Sequence, residues 1–370
     1  MTLTHWPTLL QTVLRVVVFL LGASVVFAAL ASAIRTFVLP RSASDFVGRA
    51  VFASLRRTFD RRVRKARTYE ERDRIMALYA PIGLLLLLAA WLVLVWIGFF
   101  GMLWAVGVES WHDALRASGL SLLTLGFASP DGLPQTILAF AEAMIGLILI
   151  ALLIAYLPTI YAAFSRRETA VTLLEVRAGS PPSAVEMILR YNRIHGLHRL
   201  SEVWTTWEAW FADVEESHTS LAALVFFRSP KPEHSWVTAA GAVLDAASLV
   251  NAAIDAPHDP QADLCIRAGY IALRRIADFF RVSYDPQPRR GDPISISREE
   301  FDEACEVLAE AGVPLKPDRD LAWLDFAGWR VNYDTVLLAL ASITMAPYAP
   351  WSSDRSVRQQ RPARRGRERS

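Results

Sequence analysis

The chain has 370 residues, 53% of them apolar, a mean hydropathy of +0.27 and a formal net charge of +2. The apolar share exceeds the roughly 45–50% of soluble domains, and most of the excess lies before residue 165. The near-neutral balance gives no signal for a nucleic-acid partner, and the two cysteines, Cys265 and Cys305, offer neither a disulfide framework nor a zinc pattern, which suits a reducing compartment for that half.

Three segments are long and apolar enough to cross a bilayer, which takes about 20 residues. Residues 16–34 and 82–108 carry no charge, and residues 134–165 carry only Glu142. Between the first two, residues 35–74 hold twelve Lys/Arg against five Asp/Glu, whereas residues 106–135 hold Arg116 against three acids. The excess of basic residues places the first connection in the cytoplasm and the second outside. The N-terminus is then outside and the C-terminus inside. A competing reading takes residues 16–29 and Ala31-Ser32-Ala33 as a signal peptide with its cleavage site, but the Arg-rich connection that follows argues against translocation. The basic connection, with Arg56-Arg57 and Arg61-Arg62-Val63-Arg64-Lys65, has the composition that attracts anionic lipid, and equally that of any cytoplasmic loop.

The second connection is more than a loop. Ser110 is a helix cap and Asp113 suits a helix N-terminus. The apolar stretch 114–123 that follows is too short to span and suits a re-entrant helix, after which non-helical backbone must return through protein or along a watery cavity. Thr124-Leu125-Gly126-Phe127 is that returning segment.

The pattern Ala114-Leu115-x-x-Ser118-x-x-Ser121-x-x-Thr124-Leu125-Gly126-Phe127 resembles the pore helix and selectivity filter of the potassium-channel pore-loop family. The resemblance covers residues 79–167 and implies a homotetramer in which Thr124, Leu125, Gly126 and Phe127 of each chain supply oxygens to the permeating ion. It implies that span 82–108 is the outer helix and span 134–165 the inner one, with Gly146 near the position of a gating hinge. Pro158 removes a helix hydrogen bond near the cytoplasmic end, which makes it a second hinge candidate at the inner gate or merely the point where the helix bends toward Tyr161. Gly146 has close helix packing as its alternative role. The family's second filter glycine is Ala128 here, and Ser129-Pro130 precede Asp131, so potassium and sodium both stay open as the permeating ion. Glu142, the single intramembrane acid, is expected to face protein or water, preferably through a hydrogen bond to the pore helix.

Residues 166–350 read as helices. Ser180-Pro181-Pro182 opens one, residues 200–214 carry the aromatic stripe Trp204, Trp207, Trp210 and Phe211, and further helices are expected at 235–254, 261–280, 297–310 and 321–345. His195 and His198 are too poorly placed around Gly196 for a metal site, and no nucleotide-binding or hydrolase motif occurs. The expected fold is therefore an all-α membrane protein: an N-terminal transmembrane helix (1–38), a basic cytoplasmic loop (39–78), a pore module with a re-entrant pore helix and filter loop (79–165), an all-α cytoplasmic domain (166–350) and a disordered basic tail (351–370). The expected role is a cation channel, without cofactor, enzymatic activity or metal beyond the permeating ion, in a bacterial plasma (inner) membrane. A non-conducting membrane scaffold or sensor, acting through the helical domain, is the alternative.

Overall fold

A computed structural model describes residues 6–37, 39, 46–108, 110–126 and 132–355. Among these the chain is helical and contains no strand; Ile254 and Leu315 form an isolated bridge. In chain order the first helices are α1 (Trp6–Phe37), α2 (Phe46–Val63), α3 (Tyr69–Ala77), α4 (Tyr79–Ala105), α5 (Trp111–Leu122) and α6 (Leu133–Ala178). They are followed by α7 (Ala184–Arg193), α8 (Leu200–Ser220), α9 (Trp236–Ala253), α10 (Pro260–Phe279), α11 (Arg298–Glu310), α12 (Arg319–Arg330) and α13 (Asp334–Thr344). Four stretches are long and apolar enough to cross a membrane: Leu10–Phe37, Tyr69–Ala105, Leu133–Ala178 and Trp236–Ala253. The chain forms two compact units, one of Met1–Lys65 and Leu78–Tyr161, the other of Ala66–Ala77 and Ala162–Ser370.

In the first unit α1 packs along α4. Small residues allow the close approach that helices need where hydrophobicity does not drive association. A Cβ on Gly98 would lie 2.7 Å from the carbonyl oxygen of Gly22, so neither backbone leaves room for a side chain. One turn and more further along, Ala29 and Ala33 are fully buried and Trp91 Nε1 donates to Ser32 Oγ at 2.7 Å. The Ala-Ser-Ala triplet that resembles a cleavage site is thus part of the helix interface.

The segment expected as a basic loop contains two helices instead. In α2 the residues Leu55, Phe59 and Val63 fall on one face and are buried, while the Arg56–Asp60 pair at 3.1 Å links successive turns. Spacing of three and four between apolar residues is enough to favour a helix once α4 covers that face.

The second unit is built around α9, which packs against α7, α10, α12 and α13. Ser235 caps it by accepting from Val237 N, and all its residues but Val250 and Asn251 are buried. Its apolar character on every side is that of a core helix. Trp204, Trp207, Trp210 and Phe211 of α8 are buried in the same core. A charged cluster is sealed inside: Arg330 donates to Asp245 at 2.5 Å, to Asp334 at 2.7 Å and to the Trp351 carbonyl at 2.6 Å. At the C-terminal part of α6, fully buried Arg167 donates to the carbonyls of Leu224 at 2.9 Å and Phe227 at 2.7 Å, pairs with Glu168, and lies 3.2 Å from His218 Nε2.

Three boundaries differ from expectation. The helix expected at Ser180 begins at Ala184, because Ser183 has the extended backbone of a cap and accepts from Glu186 N. The single helix expected over 321–345 is two, α12 and α13, broken where Tyr333 turns inward to donate to Asp245 at 2.9 Å. The tail was expected from residue 351, yet Ser352 and Ser353 are buried and Ala349 N donates to Ser353 Oγ. The rest of that tail, 356–370, lies outside the described residues.

Candidate functional site

The site is the connection between α4 and α6. Ser110 has an extended backbone and accepts from His112 N at 3.2 Å, and Asp113 lies in the first turn of α5, which satisfies the orphan donors of a helix N-terminus. Two neighbours hold α5. Trp96 of α4 donates from Nε1 to the Leu115 carbonyl at 3.2 Å, and Ser118 Oγ lies 3.1 Å from the Trp96 carbonyl. A Cβ on Gly119 would lie 3.2 Å from Trp96 Nε1, so a larger residue would push the indole off this contact.

Glu142 of α6 is fully buried, and its carboxylate Oε1 accepts from Ser118 Oγ at 2.6 Å. The other oxygen, Oε2, is buried with no hydrogen-bond partner among the described residues. Buried carboxyls are costly unless paired, and this one is paired with the short helix. One turn of α6 further, a Cβ on Gly146 would lie 2.7 Å from the Leu122 carbonyl oxygen at the end of α5. Close approach to α5 therefore accounts for this glycine, which sequence alone leaves divided between hinge and packing. Pro158 lies inside α6 without interrupting it. Gln135 closes the loop from the other side by donating to the Val106 carbonyl at 2.9 Å.

α5 ends in a paired hydrogen-bond stop: Thr124 N donates to Ser121 O at 3.0 Å and Leu125 N to Leu120 O at 2.9 Å. This geometry requires a left-handed residue after the cap, and Thr124 takes it with φ 54°. A β-branched residue there costs about 1–2 kcal/mol. Gly126 is also left-handed, φ 71°, with nothing within 4 Å of where a Cβ would stand. Thr124, Leu125 and Gly126 are all exposed in the single chain. Phe127, the fourth predicted filter residue, lies outside the described residues, as do Ala128, Ser129, Pro130 and Asp131.

The face that α6 leaves uncovered has a regular spacing. Leu133, Ile137, Phe140, Met144, Leu147, Ile154 and Tyr161 are each more than half exposed, and their separations are three, four or seven residues. A repeat of 3.5 residues is that of helices wound about one another. Beside α5, an apolar cleft of 680 Å³ is lined by Leu92, Trp96, Leu120 and Leu125 among others.

Sequence reasoning missed Trp96, Gln135 and the buried pairing of Trp91 with Ser32. Indole and amide side chains inside apolar runs were the available signal, since each must find a partner there. Among the described residues no group of His, Cys, Asp and Glu could hold a metal; His195 takes a left-handed turn after α7 and His198 lies in a short helical turn, 197–199. No protein-family model, no curated protein and no solved structure matches this chain. What the fold defines is an all-helical chain with helices able to span a membrane several times and a short helix between two of them.

Proposed function

We propose that the chain is the subunit of a homotetrameric cation channel, spanning the membrane with α1, α4 and α6 and conducting past Thr124, Leu125, Gly126 and Phe127. The observation that carries this reading is the seating of α5. A short capped helix lies between two spanning-length helices and is fixed to both, by Trp96 and by Glu142. It then releases a segment whose left-handed residues alternate at Thr124 and Gly126. Alternation of this kind turns successive carbonyls away from regular helix or strand, and exposed carbonyls in a ring are what replaces an ion's water shell. The uncovered 3.5-residue face of α6 supplies a surface for the same helix in other subunits. In this reading the N-terminus is outside and α2 and the second unit are cytoplasmic, by the positive-inside asymmetry.

A non-conducting scaffold has one observation in its favour. Thr124 has the same left-handed stop as His195, Arg281 and Met345, which all end helices of the second unit. A helix stop alone is satisfied better by glycine. Thr124→Gly therefore separates the two: a stop would gain stability and lose nothing, whereas a filter would lose its side-chain oxygen. Potassium flux from loaded liposomes, present in the wild type and abolished in both Thr124→Gly and Gly126→Asp, is the expected result. Absence of flux from folded oligomer overturns the channel reading.

A further inference from the structure

The basic helix α2 is absorbed by none of the foregoing. Its buried face is docked on the start of α4. Tyr79 OH donates to the Phe52 carbonyl at 3.2 Å, the Phe59 and Tyr79 rings meet edge-on at 5.6 Å, and Gly83 lacks a side chain where Phe52 lies against it. Tyr79 and Gly83 lie in the first two turns of α4, which is uncharged throughout and follows the last charge of the preceding segment, Arg74, by five residues. If α4 spans the membrane, α2 is thereby held at the end of the span where the charged residues stop.

What α2 turns outward is cationic. Arg57, Arg61 and Arg62 are exposed, and Arg64 and Lys65 are exposed in the turn that follows. The single acid of α2, Asp60, is engaged by Arg56 on the docked side. Phe46, at the opposite end of the helix, is an apolar residue 79% exposed among the described residues. An apolar end, a dock on the start of α4 and a face of exposed arginines coincide on one element.

We infer that α2 is a membrane-surface helix whose Arg57, Arg61 and Arg62 bind the anionic phospholipid headgroups of the cytoplasmic leaflet. Guanidinium groups match phosphate oxygens in a fork geometry and keep their charge at any physiological pH. Clusters of this size beside a membrane span are attracted to negative leaflets, and the attraction weakens with salt. The inference rests on the membrane placement of α4 and not on ion conduction.

The test uses the full chain in mixed micelles and follows its thermal unfolding as phosphatidylglycerol is added. The midpoint should rise with phosphatidylglycerol and not with phosphatidylcholine. In Arg57→Gln/Arg61→Gln/Arg62→Gln the half-maximal lipid fraction should increase about tenfold or more. Arg193→Gln/Arg267→Gln/Arg289→Gln, which removes the same charge from exposed positions of the second unit, should behave as wild type. Equal response to both lipids, no difference between the α2 variant and wild type, or equal loss in the control variant would overturn the inference. So would reproduction of the shift by soluble glycerol phosphate, which would place the specificity in free phosphate and not in a lipid surface. Because every arm reads stability, a chain that never conducts can still satisfy it.

Discussion

Ser118→Ala is the sharpest probe of how α5 is held. Ser118 is fully buried, its hydroxyl is 2.6 Å from Glu142 Oε1, and Glu142 is itself fully buried with Oε2 unpaired among the described residues. The variant removes the single described donor to that carboxyl. An unsatisfied buried polar group costs about 1–3 kcal/mol. We expect Ser118→Ala to destabilise the first unit by about 2 kcal/mol. Glu142→Gln, which keeps an acceptor oxygen, should cost less than Glu142→Ala, which also leaves a cavity. The decisive quantity is the coupling. Once Glu142→Ala has removed the carboxyl, Ser118→Ala should cost at least about 1 kcal/mol less than it does alone, because the carboxyl is no longer left unpaired. Denaturant or thermal unfolding in detergent supplies the four stabilities. Additive single effects would refute the reasoning and make the contact incidental.

Three further outcomes follow from the same geometry. Gly146→Ala places a methyl 2.7 Å from the Leu122 carbonyl and should cost about 1–3 kcal/mol as an overpacking effect, read by thermal unfolding; an unchanged midpoint would contradict the packing role. Burial, and then the charge of Arg167, holds the His218 imidazole well below its ordinary value. The unfolded chain therefore binds a proton that the folded one refuses, so stability is full above about pH 6.5 and falls as pH drops, by up to about 1.4 kcal/mol per pH unit. His218→Gln should flatten that slope in unfolding curves between pH 7 and 5. Arg330→Met leaves Asp245 and Asp334 buried without their cation and should cost about 3–5 kcal/mol, measured as a loss of the second unit's unfolding transition at the wild-type temperature.

Some of this was legible in the sequence because its causes are local. Uncharged apolar runs mark α1, α4 and α6, and Ser110 announces α5 because a cap needs only its own hydroxyl and the next turn's amides. That Glu142 needs a partner follows from the cost of burying a carboxyl, and the helix expected to provide it does so through Ser118. The helix α2 was legible too, in the spacing of Phe52, Leu55, Phe59 and Val63, but its arginines disguised it as a loop. Other features depend on tertiary register. The break between α12 and α13 is marked locally only by Asn332, whose amide donates back to the Gly328 and Trp329 carbonyls, and by Asp334; the inward turn also has Tyr333 and Arg330 both reaching Asp245, 88 and 85 positions away. The apposition of Gly22 with Gly98 likewise requires knowing how α1 slides along α4. Two serines near residue 180 compete to cap α7, and the one that wins, Ser183, is the one whose backbone is extended.

Residues 124–127 are proposed to line an ion path. The most direct test is the reversal potential of the purified protein in a planar bilayer, with potassium on one side, sodium on the other, and Gly126→Asp as control. A cation current that the aspartate variant abolishes is the expected result. Reversal near the potassium potential would identify a selective filter despite Ala128, and reversal near zero a cation pore that admits both ions. A current that survives in Gly126→Asp, or none from folded wild-type oligomer, would contradict the proposed ion path.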